Sequence, residues 1–155
     1  METGRAAFQV LVLPFRRAGA GLVYALFRRE DGGYWQGVAG GGEVGESPLE
    51  AARREAFEEA GVGDGAGFVV LDARASMPVL AVTGAFTWGP EVLVIPEYAF
   101  GVGVEDGRLR LSDEHTEYGW FGVDEACQAV RWDSNRTALW ELDHRLRHGP
   151  LPSSA

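Results

Sequence analysis

The segment from Gly40 to Val62, GGGEVGESPLEAARREAFEEAGV, constrains this 155-residue chain more than any other. Ser47-Pro48-Leu49-Glu50 has the signature of a helix start, with Ser as N-cap, Pro at the first helical position and Glu three residues after the cap. Gly61 is placed to stop the helix in a left-handed conformation, so the spacing predicts a helix from Pro48 to Ala60. On that helix Glu55, Glu58 and Glu59 lie three and four apart and share one face. Their charges repel. Glu58 and Glu59 also fall in the last turn, where the macrodipole disfavours acidic residues by several tenths of a kcal/mol each. A purely structural helix would carry Lys or Arg there. A hard divalent cation removes the conflict, because Mg²⁺ is held by a few carboxylate oxygens together with water and substrate phosphates. The glycines before the helix, read as a loop, suit a close backbone approach and are expected to bring a backbone carbonyl near the metal. The bland alternative is a solvated acidic face, common for a lone pair of glutamates.

Around this segment the chain alternates strand and helix signals. Phe8 to Leu13 and Leu22 to Phe27 are apolar runs rich in β-formers, parted by Arg16 to Gly21, and read as two strands joined by a turn. Phe68 to Leu71, Val79 to Thr87 and Val92 to Val104 continue the sheet, with polar breaks at Asp72 to Ser76 and Gly89-Pro90, and Tyr118 to Val123 is the last strand candidate. Asp124 to Val130 and Ser134 to Arg147 have helical spacing, with Leu139, Leu142 and Leu146 on one face and Ser134 as N-cap. Gly61, Gly63, Gly65 and Gly67 follow a helix and precede a strand, the reverse of a dinucleotide-binding fingerprint, and read as a loop. Residues 149–155 form a Pro/Ser tail expected to fray. A single domain spanning residues 1–155 is the expectation.

Charge and cysteine usage narrow the class. With 14 basic against 23 acidic residues the net charge is -9, which repels nucleic acid polymers. One cysteine, Cys127, permits no internal disulfide, and no triad accompanies it in sequence. No apolar run approaches the length of a membrane span, and Met1 to Arg5 lacks a signal-peptide start, so a cytoplasmic protein is expected.

Gly40, Glu46, Arg54, Glu55, Glu58, Glu59 and Gly61 stand at fixed distances that chance would reproduce at about one in a million. The segment resembles the Nudix box, Gly-x5-Glu-x7-Arg-Glu-U-x-Glu-Glu-x-Gly-U, where U is a bulky aliphatic residue. Ala56, at the first U, is smaller than the pattern and bears on packing beneath the helix. The resemblance implies the α/β class, an α/β/α sandwich around a mixed β-sheet, and a hydrolase acting on a nucleoside diphosphate linked to another moiety. It implies Mg²⁺, with Mn²⁺ able to substitute, held directly or through water by Glu55, Glu58 and Glu59. Arg54 and Glu46 would orient and support these carboxylates, and the general base is open among Glu58, Glu59 and Glu114. Outside the box, Arg28 to Gln36, Glu114 to Trp120 and Trp132 to Arg136 are similar to the branch that acts on dihydroneopterin triphosphate and dATP. By that likeness Glu114 approaches the metal from outside the box helix, as ligand or base. Arg28, Arg29, Trp35, Asn135 and Arg136 become candidate substrate contacts, with Trp35 supplying a ring for stacking.

The substrate expected from this likeness is a small nucleoside or pterin triphosphate, cut to the monophosphate and pyrophosphate. ADP-ribose or another nucleoside diphosphate conjugate is the alternative within enzymes, since Pro78 lies near a proline of that subgroup. A non-catalytic nucleotide-binding regulator is the alternative of another class, disfavoured because every box glutamate is kept. Trp88, Trp120 and Trp140 are expected in the core, His115 is expected to be a structural hydrogen-bonding residue, and a homodimer is compatible with the sequence.

Overall fold

Phe8 to Leu13 places apolar residues at consecutive positions, which suits a strand covered on both faces. In the computed structural model, which describes residues 4–19, 21–63, 65–83 and 88–149, this run is the middle of the central strand β1 (Arg5–Ala18). Val10 and Val12 face one core cluster, while Leu11 and Leu13 face another on the opposite side. The period of two therefore divides β1 between two layers.

The remaining strands are β2 (Gly21–Arg29), β3 (Trp35–Gln36), β4 (Val38–Glu43), β5 (Phe68–Pro78), β6 (Val94–Gly103) and β7 (His115–Phe121). They form one seven-stranded sheet in the order β3-β2-β1-β6-β5, with β4 added to β1 and β7 to β2. β1 and β6 run parallel and the other pairs antiparallel, so the sheet is mixed. Helix α1 (Pro48–Ala60) covers one face, while α3 (Val123–Ala129) and α4 (Asp133–His148) cover the other, giving an α/β/α sandwich. A short helix, α2 (Val79–Thr83), follows β5. No helix among the described residues is long and apolar enough to cross a membrane.

α1 begins and ends where its residues dictate. Ser47 Oγ accepts from Glu50 N at 3.1 Å, Glu50 Oε1 accepts from Ser47 N at 2.8 Å, and Gly61 closes the helix at φ 74°. Ala51, Ala52, Ala56 and Ala60 are its buried face, so the small residue at position 56 is one of four that let the helix lie close on the sheet.

Several expectations require correction. The first turn is tighter than expected, because β1 and β2 pair out to Ala18 and Gly21. Gly40-Gly41-Gly42 is not a loop but part of β4, paired with β1 through Val10↔Gly40 and Gln9↔Gly41. Asp72 to Ser76 does not interrupt β5, which crosses it with a register shift between Val70 and Arg74. Val79 to Thr83 is helical rather than extended, an ambiguity inherent in short apolar runs, and residues 84–87 of that expected strand lie outside the described residues. Ser134 lies inside α4, whose N-cap is Trp132; its hydroxyl serves Glu97 and Asn135 instead of the helix end. Trp140 is not in the core: it is 63% exposed and stacks on His144 at 5.2 Å. Trp88 and Trp120 are half-buried against core clusters. The expected tail lies outside the described residues beyond Gly149.

Candidate active site

Arg54 joins strand to helix at one end of the site. Its Nε and Nη2 donate to the two oxygens of Glu46 at 2.8 and 3.0 Å, its Nη2 also donates to the Gly41 carbonyl at 2.8 Å, and its Nη1 reaches Glu55 at 2.8 Å and Glu58 at 3.0 Å. The Glu46 carboxylate, receiving this guanidinium and the Glu43 amide, is held below its ordinary pKa. This fork holds the turn after β4 against α1.

The face of α1 turned toward β4 carries Glu55 and Glu59, both buried. Gly40 is glycine for Glu55: a Cβ there would fall inside the Glu55 carboxylate. Burial pushes the Glu55 carboxyl up to about 7, with Glu59 and Glu58 adding to the rise and Arg54 opposing it. Glu59 accepts from the Ser112 hydroxyl in a short hydrogen bond, and its Oε2 lies 3.4 Å from His115 Nδ1. Glu114 comes from the segment before β7, and its pKa is raised by its contact with the Glu59 carboxylate and by burial. His115 is itself buried, with a pKa lowered by that burial, and touches Ser112 Oγ at 3.3 Å, consistent with a structural role.

Glu55, Glu59 and Glu114 border a cavity of about 380 Å³. Gly40 lies against Glu55 and Arg29 near Glu114 at this acidic end, and Gly41 and the rings of Tyr34, Trp132, Phe8 and Trp88 also line the cavity. Its size falls within the range of small-molecule sites. The floor is polar, formed by the buried Gln9, Gln36, Glu97 and Asn135.

Not every expected contact reaches this cavity. Glu58 is half exposed and tied to Arg54 rather than facing the cavity. Arg29 lines it, while Arg28 points elsewhere, bonded to Glu117 at 3.1 Å and the Gly33 carbonyl at 3.0 Å. Trp35 does not line it: its ring packs edge-to-face on Phe121 at 5.3 Å in the opposite core cluster, and the ring at the cavity is its neighbour Tyr34. Asn135 lines it but also accepts from Gly37 N at 2.8 Å. Arg136 is turned to the carbonyls of Cys127 and Val130 at 2.8 and 2.9 Å, where it ties α3 to α4. Burial raises the Cys127 thiol, against a reactive nucleophile. Gln9, Glu97 and Ser112 were not anticipated; a lone Gln and a lone Glu inside the apolar strands β1 and β6 were the available signal for the first two.

The donors at the acidic end suit a hard cation. All are oxygens, and two carboxylates, Glu59 and Glu114, sit in contact although like charges repel, a conflict a dication between them would relieve. Among the described residues no three such groups are gathered closely enough to cage an ion alone. Water and substrate phosphates would complete the shell, as is usual for Mg²⁺.

Comparisons with known proteins agree with this arrangement. The family model described as NUDIX domain matches residues 5–140. The chain is 35% identical over 108 residues to an asymmetrical bis(5'-nucleosyl)-tetraphosphatase of Sus scrofa, covering 70% of this chain and 69% of that protein. It is 25% identical over 127 residues to the dihydroneopterin triphosphate diphosphatase of Haemophilus influenzae, covering 81% and 80%. A crystal structure described as a NUDIX hydrolase of Listeria monocytogenes superposes with a TM-score of 0.86 at 37% identity, covering 96% of this chain and 99% of that one.

Proposed function

Because the chain belongs to the Nudix hydrolases, we propose that it cleaves the phosphoanhydride of one ringed triphosphate, a nucleoside or pterin triphosphate, to the monophosphate and pyrophosphate. The observation that carries this reading is that one cavity is lined both by the carboxylates of Glu55, Glu59 and Glu114 with the glycines of β4 and by the rings of Phe8, Tyr34, Trp88 and Trp132. Phosphates held at those carboxylates, with the ring against the aromatic side chains, put the anhydride beside Glu55, Glu59 and Glu114.

In this reading Glu55 and Glu59 would hold Mg²⁺, or Mn²⁺ in its place, with water and substrate phosphate completing the shell. When bound, the ion neutralises phosphate charge and polarises the anhydride for attack at phosphorus. Arg54 keeps Glu55 in place through its fork to Glu46, and Ser112 and His115 keep Glu59 in place. Glu114, which lines the cavity from outside the box helix, takes the proton of the attacking water at its carboxylate. Arg29 meets phosphate oxygens, and Tyr34 and Trp132 hold the ring.

A second reading, unequal cleavage of a dinucleoside tetraphosphate, is favoured by the identity to the Sus scrofa protein. Product analysis by anion exchange distinguishes the two, using ATP, GTP, dihydroneopterin triphosphate, diadenosine tetraphosphate and ADP-ribose with Mg²⁺. Monophosphate and pyrophosphate from the triphosphates, at the highest kcat/KM of the panel, is the expected result. If the tetraphosphate is cut best, the second reading replaces the first. If ADP-ribose is best, neither substrate assignment survives.

A further inference from the structure

The cavity floor carries polar groups that hydrolysis does not use. Gln9 and Glu97 face one another across the parallel pairing of β1 with β6, and Gln9 Nε2 donates to Glu97 Oε2 at 2.6 Å. The Ser134 hydroxyl also reaches Glu97. Glu97 is only 3% exposed, in the middle of a strand, where an apolar residue would cost nothing to bury. Burial raises its pKa, and the two donors offset that only in part. A carboxyl buried at such a cost, on the wall of a cavity lined by aromatic rings, points to a ligand that rewards it.

We infer that Glu97, positioned by Gln9, reads the edge of a planar ring that presents two adjacent N–H donors, the ring N–H and exocyclic amino group of a 2-amino-4-oxopyrimidine. Guanine and pterin share this edge. The inference rests on the reading of this cavity as the substrate site. An ionised carboxylate is acceptor-only, so it can take both N–H groups side by side. Adenine puts an acceptor nitrogen next to its amino group, which would set a lone pair against a carboxylate oxygen and leave buried groups unpaired. Sites built around such polar pairing reject the mismatched analogue more strongly than apolar pockets do.

The test is equilibrium binding in excess EDTA, so that no turnover enters, followed by quenching of tryptophan fluorescence, since Trp88 and Trp132 line the cavity. The ligands are GMP, IMP, AMP and neopterin. GMP should bind more tightly than IMP, which lacks the amino group, and IMP more tightly than AMP, by roughly tenfold per lost contact. Neopterin should also bind, and the tighter of neopterin and GMP identifies the ring source. Glu97→Gln should weaken GMP to the level of AMP while leaving AMP unaffected. The ranking in the unaltered protein tests the inference even if that variant fails to fold. AMP binding as tightly as GMP, a ranking preserved in Glu97→Gln, or no binding of any of the four at millimolar concentration would overturn it. A protein that ranks the ligands as expected but cleaves no triphosphate keeps this inference and loses the hydrolytic reading. One that cleaves triphosphates without the ranking loses only the inference.

Discussion

Glu55 links the stability of the fold to the proposed metal site. Its carboxyl ordinarily titrates at 4.5 and stands at about 7 in the folded chain, chiefly through burial. A raised carboxylate means that the folded state keeps a proton the unfolded state has lost, so stability falls as pH rises from about 4.5 to about 7. The effect is at most about 3 kcal/mol. Denaturant melts in EDTA across that range should show a steeper loss in the wild type than in Glu55→Gln, and parallel curves would refute the assignment. Glu59→Gln deletes charge without changing shape. Its turnover should drop by more than the roughly 10- to 100-fold that losing a supporting partner costs a metal site. Near-normal rates in a folded variant would make Glu59 structural. The adjacent pair Tyr34 and Trp35 should divide cleanly. Trp35→Ala should cost about 3 kcal/mol or more of stability as a packing residue and alter ringed and ringless substrates alike. Tyr34→Ala should raise KM for ringed triphosphates and leave inorganic tripolyphosphate unchanged. A KM effect confined to Trp35→Ala would reverse that division.

At the scale of elements, the site is a contact between α1 and β4, made close by what is missing from both. Four alanines line the buried face of the helix, and Gly40 leaves room on the strand for the Glu55 carboxylate. Gly40→Ala should therefore displace Glu55 or push the helix outward, costing about 1–3 kcal/mol as overpacking does, together with most of the activity. A variant with unchanged melting temperature and kcat would show that the strand and helix are farther apart than described. The helix side of this contact was legible in the sequence, because cap, Pro, glutamates and Gly61 all lie within one local segment whose 3.6-residue period places them. The strand character of Gly40 to Gly42 was not. Three glycines read as a loop from local preference, whereas pairing with the centre of β1 extends them.

For the whole molecule, a net charge of -9 opposes the polyphosphate substrate proposed above, so the proposed mechanism calls for a cation both in binding and in reaction. Activity should vanish in excess EDTA and return with Mg²⁺, and Mg²⁺ at 100 times its Kd should stabilise the fold by about 2.7 kcal/mol, read as a rise in Tm. Full turnover in EDTA would remove the cation from the proposed mechanism.

The box helix, its carboxylate face and the apolar strands could be read from the chain because each rests on neighbours a few residues apart, whereas the mixed sheet was implied only by the resemblance of the box to a known family. The rest required the register of a sheet. Glu97 meets Gln9 across 88 positions, and no local pattern shows that their strands pair in parallel at that point. Arg28 and Arg29, or Tyr34 and Trp35, are adjacent in sequence, yet only Arg29 and Tyr34 line the cavity. Which of each pair reaches the cavity is decided by irregularities that local sequence does not show: the β2–β7 register shifts between Arg28 and Arg29, and Tyr34 stands just before β3 while Trp35 is in it.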